Sequence, residues 1–298
     1  MKDLNLKNLG EKITEAFINQ NQFVFAKVIT DLKNGDVSVG DWFNYLMCDP
    51  KSNPPIFYQV SSPFDMVSKK APQHALVFQN GKCILQTSYT DYAAMRTGIL
   101  DALVLKSLDV KQLSDKKVLI CGAGKTASWS LKGLKAYFPD LKEITYLTTE
   151  SKRSEFEDLA KTLGVKAHHT TDNNPSEYDI ILCHTNTKDS IFKDPTLIKP
   201  GAILTGFISS TPYGEFCDDF YNSDLANILI DWDMNLPRMG FIERAVTNGK
   251  VKKEEIVDLK DLFKGSYVPK ANAKYTLFTS IGTPIQNIAL LKMLVEDK

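Results

Sequence analysis

The stretch VLICGAGKTASWSLKGL, residues 118–134, constrains the fold more than any other part of the chain. A run of apolar β-formers stops at glycine-alanine-glycine, and helix-forming residues follow at once. Four consecutive apolar residues ending in a turn read as a strand buried on both faces, as strands of a parallel sheet do. The rhythm continues downstream. EITYLTT, SEFEDLAKTLG, VKAHHT, YDIILCHT, GAILTGF and NILIDWD follow, with strand-like runs and a helix-like run between the first and third. That order predicts a parallel sheet with helices packed on it.

The flanking segments read differently. Leu4, Leu6, Leu9, Ile13, Phe17 and Ile18 fall at near-helical spacing, which predicts a helix over 4–20. Residues 22–87 read as short strands and turns, with HALVFQNGKCILQ as a hairpin closed by Asn80-Gly81. TDYAAMRTGILDALVLKSL, residues 90–108, predicts a long helix capped by Thr90 or Asp91, with Met95, Ile99, Ala102, Leu103 and Leu105 on its apolar face. The closing YTLFTSIGTPIQNIALLKMLVEDK predicts a strand or loop feeding a helix that packs back on the 90–108 helix.

Composition narrows the function classes. A length of 298 residues suggests two domains. Balanced charge, 36 basic against 36 acidic residues, argues against nucleic acid as a partner, because phosphate binding needs a net basic face. No run approaches the roughly 18 apolar residues of a membrane span, and the N-terminal segment has no apolar signal core. Cys48, Cys83, Cys121, Cys183 and Cys217 are scattered, odd in number and without C-x-x-C spacing. They read as reduced thiols of a cytoplasmic protein with no metal site.

The glycines identify a ligand class. Residues 122–127 fit G-x-G-x-x-G/A after a strand and at the opening of a helix, the context that gives this motif its meaning. Gly122 allows the tight turn, Gly124 lets the backbone approach a pyrophosphate, and Ala127 permits close helix–strand packing. The helix N-terminus offers free N–H groups and partial positive charge to the anion. A dinucleotide cofactor is therefore expected. The second strand ends in Thr148-Thr149-Glu150-Ser151-Lys152-Arg153. NAD sites usually place an acid here for the ribose 2′-OH. Thr148, Thr149 and Ser151 with Lys152 suit a 2′-phosphate better, so NADP(H) is expected in preference to NAD(H), while Glu150 leaves NAD(H) open.

The stretches TDYAAMRTGILDALVLKSL, VLICGAGKTASWSLKGL, DIILCHTNTKDSIF, LIKPGAILTGF and KYTLFTSIGTPIQNIAL, in that order, resemble the ornithine cyclodeaminase/mu-crystallin family over roughly residues 75–298. The resemblance implies an α/β chain in which a Rossmann domain, 109–269, is inserted in an α+β substrate and dimerisation domain built from 1–108 and 270–298. It implies a homodimer, and a nicotinamide cofactor acting on a C–N or C=N bond beside a carboxylate. By position, Arg96 would grip the carboxylate of a small-molecule substrate and Thr97 would touch the cofactor. Gly122, Gly124, Lys125 and Thr126 would line the pyrophosphate. Thr185 and Asn186 would border the cofactor, and Ser280, Ile281 and Gly282 would lie against the nicotinamide. Arg96 also has a case of its own: a guanidinium beside Met95, Ile99 and Leu103 needs an anionic partner, either a substrate carboxylate or an acid such as Asp91.

The sequence departs from the cyclodeaminase pattern at three charged positions. Tyr58 stands at or next to a lysine, the NYLMCDP region has no arginine, and Ser210 stands near the catalytic aspartate. Cyclisation of an amine needs a base, and a serine supplies none. The expected activity is therefore an NADP(H)-dependent reduction of an imine or ketimine. A cyclodeaminase or amino-acid dehydrogenase with a rearranged site, or an NADPH-binding protein without turnover, are the alternatives. Tyr58, Tyr89, Ser209, Ser210 and Thr211 are candidate proton or hydrogen-bond donors. His184, at a strand's carboxyl end, is a better-placed acid. Asp231 reads either as a carboxylate in the cleft or as a strand-end cap.

Overall fold

The structure is a computed structural model and describes residues 4–34, 37–62, 73–185, 187, 189–207 and 214–297. In chain order its elements are α1 (Leu6–Ile18), β1 (Val24–Asn34), β2 (Val37–Asp49), β3 (Ile56–Ser62), β4 (His74–Gln79), β5 (Lys82–Ser88), α2 (Thr90–Ser107), β6 (Val118–Cys121), α3 (Lys125–Tyr137), β7 (Glu143–Leu147), α4 (Arg153–Thr162), β8 (Lys166–Thr170), β9 (Ile180–Cys183), β10 (Ala202–Phe207), β11 (Ala226–Ile230), α5 (Gly240–Thr247), β12 (Ile256–Asp258), α6 (Leu259–Phe263), β13 (Tyr275–Ser280) and α7 (Pro284–Glu296). They form two compact units, Met1–Arg96 with Pro284–Lys298, and Thr97–Thr283.

In the first unit five antiparallel strands run in the order β1-β2-β3-β4-β5. Asn80 and Gly81 close the β4–β5 hairpin with φ of 52° and 70°, the positive pair that a two-residue hairpin turn demands. Strand alternation puts Tyr58, Val60, Ala75 and Val77 on the buried face. α1 starts at Asn5, whose Oδ1 accepts the N–H groups of Lys7 and Asn8 at 3.0 and 3.2 Å. Its buried Leu9, Ile13 and Phe17 meet α7, and Lys12 pairs with Glu296 at 2.6 Å. One expectation changes here: β1 and β2 are long strands of 11 and 13 residues rather than short ones. α7 is apolar nearly all round and buried from Pro284 to Leu291 without a break; it packs on α1 and the sheet, and its Gln286 takes a hydrogen bond from Arg96 of α2.

The second unit is a sheet of eight strands in the order β12-β11-β13-β10-β9-β6-β7-β8, every pairing parallel. β13 comes from near the end of the chain and slots between β10 and β11. The compact unit therefore extends to Thr283. It begins at Thr97, and the second half of α2 lies on α3. A Cβ on Gly98 would stand 2.6 Å from the Ser130 nitrogen and the Thr126 oxygen, and one on Gly133 would be 3.3 Å from the Ile99 Cα. Two glycines thus let the helix axes come close. The chain leaves β6 toward β7 and β8, then returns to place β9 on the other side of β6. That reversal sets the carboxyl ends of β6 and β9 side by side, the place where open parallel sheets bind ligands.

Candidate active site

Gly122 follows β6 with φ +102°, a conformation that side chains other than glycine rarely adopt. Its N–H donates to the Leu147 carbonyl at 2.8 Å, while the His184 N–H donates to the Cys121 carbonyl at 2.8 Å. The glycine turn is thereby stitched to the ends of β7 and β9. Gly124 is different. It is exposed, its φ is −81°, and a Cβ there would meet no protein atom within 4 Å. Nothing in the described fold needs a glycine at 124, so the open space above it is available to a ligand. No side-chain hydrogen bond caps α3, so its first N–H groups, beside exposed Lys125 and half-buried Thr126, are suited to an anion. Ala127 is fully buried against β6, as its place in the motif requires. These residues fit a dinucleotide pyrophosphate.

The end of β7 carries the expected hydroxyls. Thr148 is half-buried, and Thr149 and Ser151 are exposed, with their hydroxyls 3.4 Å apart. The two cations already have neighbours. Lys152 lies 3.6 Å from Glu155, and Arg153 Nε donates to Glu157 at 3.0 Å. Tyr146 and Arg153 together hold the Glu157 carboxyl below its usual range. Beside this strand end is a cleft of about 800 Å³ lined by Leu147, Thr171, Asn173, Pro175, Thr187 and Phe192.

The loop after β13 is fixed from below. Asp231, fully buried at the end of β11, accepts the Ser280 hydroxyl at 2.6 Å and the N–H groups of Ile281 and Gly282 at 3.1 and 2.9 Å. Asn235 Nδ2 donates to its other oxygen at 3.0 Å and also to the Gly282 carbonyl at 3.3 Å. Burial raises the Asp231 carboxyl to about 6 against these hydrogen bonds, which lower it. Of the two roles weighed for Asp231, the buried one is observed, and what it caps is the 280–282 turn rather than a helix.

A second buried network was not foreseen. Asp101 of α2 accepts the Thr205 hydroxyl at 2.7 Å and the Ser130 hydroxyl, and its Oδ2 lies 2.7 Å from His184 Nε2. Both side chains of the His184–Asp101 pair are fully buried, and the imidazole stacks on Phe207 with ring centres 4.9 Å apart. Thr185, next in sequence, donates its N–H and its hydroxyl to Glu215, each at 3.2 Å. The signal in the sequence was a lone aspartate in the run Gly98–Leu105, every residue of which is buried. A carboxylate in such a run must find donors.

In the first unit, Arg96 is half-buried near the middle of α2. Its Nη1 donates to Gln286 Oε1, and it also hydrogen-bonds Tyr89, whose hydroxyl donates to Asn287 at 3.0 Å. Tyr58 is buried on the helix-facing side of β3, and its hydroxyl has no hydrogen-bond partner among the described residues. Burial pushes its phenol far up. Thr97 follows Arg96 on the helix and opens the second unit. Asn186, Ser209, Ser210 and Thr211 lie outside the described residues.

The chain folds like several solved enzymes. The Delta(1)-pyrroline-2-carboxylate reductase of Thermococcus litoralis, solved with NADH and L-proline, superposes with a TM-score of 0.81 at 18% identity, covering 99% of this chain and 94% of that one. The iminosuccinate reductase of Paracoccus denitrificans, solved with NAD+, gives 0.80 at 16%, covering 98% and 92%. An archaeal alanine dehydrogenase dimer with bound NAD gives 0.79 at 18%, covering 99% and 92%. At such identities the likeness concerns the fold. No curated protein matches in sequence. The model of the ornithine cyclodeaminase/mu-crystallin family matches residues 74–298, and the chain belongs to that family.

Proposed function

We propose that the protein is an NADP(H)-dependent reductase acting on the C=N bond, or in reverse the C–N bond, of a small carboxylate-bearing substrate. The observation that carries this assignment is the pair of glycines at the end of β6. Gly122 is demanded by the backbone, but Gly124 faces open space at the uncapped start of α3, which is what a pyrophosphate needs and the protein alone does not. When bound, the nicotinamide supplies or accepts a hydride. Lys125, Thr126 and the first N–H groups of α3 hold the phosphates, with Thr97, Thr185 and Asn186 bordering the cofactor. Ser280 and Gly282 present the turn held by Asp231 to the nicotinamide. Thr148, Thr149, Ser151 and Lys152 receive the 2′-phosphate. Arg96 takes the substrate carboxylate, and Tyr58 and Ser210 provide hydroxyl groups to the substrate.

The related enzymes are named for imine, amino-acid and cyclodeaminase chemistry beside a carboxylate, which agrees with keeping Arg96. The domains that do this work run 109–269 for the cofactor and 1–108 with 270–298 for substrate and assembly. A homodimer is part of the proposal. The face of the five-stranded sheet opposite its buried side shows Val24, Leu46 and Phe57 exposed at 60%, 44% and 54%, around a cleft of about 290 Å³. An apolar face of that kind is characteristic of subunit contact. The protein is proposed to act in the cytoplasm.

The test is fluorescence titration with NADPH and NADH, followed by NADPH oxidation assays against a panel of cyclic and open imines bearing a carboxylate. Micromolar NADPH binding with turnover of one such imine is the expected result. Failure to bind any nicotinamide dinucleotide would remove the proposal.

A further inference from the structure

Glu215 is 1% exposed and is held from three sides. Its carbonyl accepts the N–H groups of Ile191 and Phe192 at 2.9 and 3.0 Å. Its Oε1 accepts the N–H and the hydroxyl of Thr185, each at 3.2 Å. Its Oε2 rests over Gly206 of β10, where a Cβ would stand 3.5 Å away, and has no hydrogen-bond partner among the described residues. Thr185 in turn is half-exposed and abuts the glycine turn, since a Cβ on Gly122 would lie 3.4 Å from its Cγ2. A buried carboxyl therefore stands one residue behind the backbone that leads to the start of α3. An ionised carboxylate needs donors at both oxygens, and the donors seen here are at one. A neutral acid, with its carbonyl oxygen toward Thr185 and its hydroxyl at Oε2, fits the site better.

We propose that Glu215 is a positioning residue that holds Thr185 against the nucleotide turn as a neutral acid, and that a dinucleotide arriving at the turn brings a proton onto Glu215; this rests on the nicotinamide assignment above. Phosphates at the start of α3 disfavour a second negative charge behind Thr185. The proton comes from solvent and goes to Oε2. Oε1 keeps both donors of Thr185, and no bond of the cofactor changes. Burial already holds the Glu215 carboxyl above its usual range, against the hydrogen bonds from its own N–H and from Thr185 and against the nearby His184.

The sign follows from linkage. With the site empty, Glu215 ionises as pH rises; with an anion at the turn it ionises only at higher pH. Between those two points binding takes up a proton, and affinity falls as pH rises. The titratable groups facing Glu215 among the described residues are Cys183 of β9, His184 just after it, and Tyr221 from the segment that follows Glu215; Asp101 of α2 lies behind His184. Burial pushes the Cys183 thiol and the Tyr221 phenol far up, so both stay neutral. Substitution of Glu215 alone separates its proton from those of the others.

The experiment is calorimetric titration with NADPH between about pH 5.5 and 8.5, in buffers of different ionisation enthalpy, which reads affinity and proton exchange together. A phosphate monoester titrates near about pH 6 by itself, so the quantity read is the difference between the native chain and Glu215→Gln. The native chain is expected to lose about tenfold more affinity than the variant across this range, the effect of one charge on another through partly screened protein, and to take up protons that the variant does not. Glutamine keeps the oxygen that accepts from Thr185. Glu215→Gln should therefore bind NADPH more tightly than the native chain at the alkaline end, where loss of a merely structural carboxylate would weaken binding. Thr185→Val removes one donor that favours the ionised form, so it should move the fall in affinity to higher pH. Equal proton uptake and equal pH dependence in the native and Glu215→Gln proteins overturn the proposal, as does weaker binding by Glu215→Gln at the alkaline end. If Glu215→Gln does not fold, a midpoint unmoved in Thr185→Val overturns it. Failure of the native chain to bind NADPH or NADH at any pH refutes the nicotinamide assignment itself, and the proton role with it.

Discussion

Asp231 and Ser280 are 49 residues apart in sequence and 2.6 Å apart in space. β11 delivers the carboxylate and its neighbour β13 delivers the hydroxyl, so adjacent parallel strands bring their carboxyl ends to one point. The same oxygen also holds the N–H groups of Ile281 and Gly282, and the turn has no freedom to drift. Such a turn can present backbone to a cofactor ring without paying for ordering on each encounter.

The buried carboxylate gives the first prediction. Its value of about 6 lies above the roughly 3.9 of an exposed aspartate. Between those two values the folded chain binds a proton that the unfolded chain does not. The contribution of Asp231 to stability is therefore greatest below about pH 4 and falls as pH rises to about 6. The change is on the order of 3 kcal/mol at most. Urea unfolding at pH 4.5 and 7 should show a smaller pH slope in Asp231→Asn than in the native chain. Equal slopes would mean that Asp231 is not the group that titrates.

Gly122 and Gly124 should fail in different ways. A side chain at 122 must adopt φ near +102° and meets the carbonyl oxygen of His184. Gly122→Ala should cost about 3 kcal/mol or more of stability. Gly124→Val has room in the protein, so its melting temperature should stay near native, while the added branch fills the space a pyrophosphate needs. Thermal melts and NADPH titrations of both variants decide this. NADPH binding by a folded Gly124→Val protein would place the site elsewhere.

The nucleotide half of the molecule was legible in the sequence because its signals are local. A buried strand, a glycine turn and a helix start lie within 17 residues, and each is dictated by backbone sterics or by the orphan N–H groups of a helix end. The β4–β5 hairpin was legible for the same reason. What escaped depends on pairing across long separations. β13 enters the middle of the sheet from residue 275, which no periodicity announces. β12 is three residues long and exists by its pairing with β11. His184 stood out by its place at a strand end, but Asp101 and Glu215 come from distant segments, and each alone looks like an ordinary polar residue.

Cofactor choice can be tested at Lys152. Its ammonium lies 3.6 Å from Glu155 on an exposed turn, an arrangement worth little by itself. Lys152→Ala should weaken NADPH about tenfold or more and leave NADH unchanged, since a charge-assisted contact to phosphate contributes about 1.5–3 kcal/mol. Glu155→Gln should tighten NADPH about twofold by releasing the ammonium. Parallel fluorescence titrations measure all four constants. NADH bound as tightly as NADPH by the native chain would instead assign the ribose to Glu150.

Arg96 carries the substrate assignment, and its surroundings sharpen what a substitution should do. Gln286 and Tyr89 hold the guanidinium, with Asn287 behind the tyrosine hydroxyl. Those contacts aim the planar fork, and a carboxylate matches it with two parallel hydrogen bonds. Lysine keeps the charge but cannot reproduce that fork. Arg96→Lys should therefore lower kcat/KM by about 2–4 kcal/mol of transition-state stabilisation, roughly 30- to 1,000-fold, for the first imine that the native protein turns over. NADPH affinity should stay within about twofold, because the loss falls on the substrate. Gln286→Leu should give a smaller loss of the same kind, about tenfold, since it frees the guanidinium to turn without removing it. Steady-state kinetics with both variants, beside cofactor titrations, make the comparison. An Arg96→Lys protein with native kcat/KM would take the carboxylate away from Arg96, and an equal fall in NADPH affinity would show the side chain acting through the cofactor.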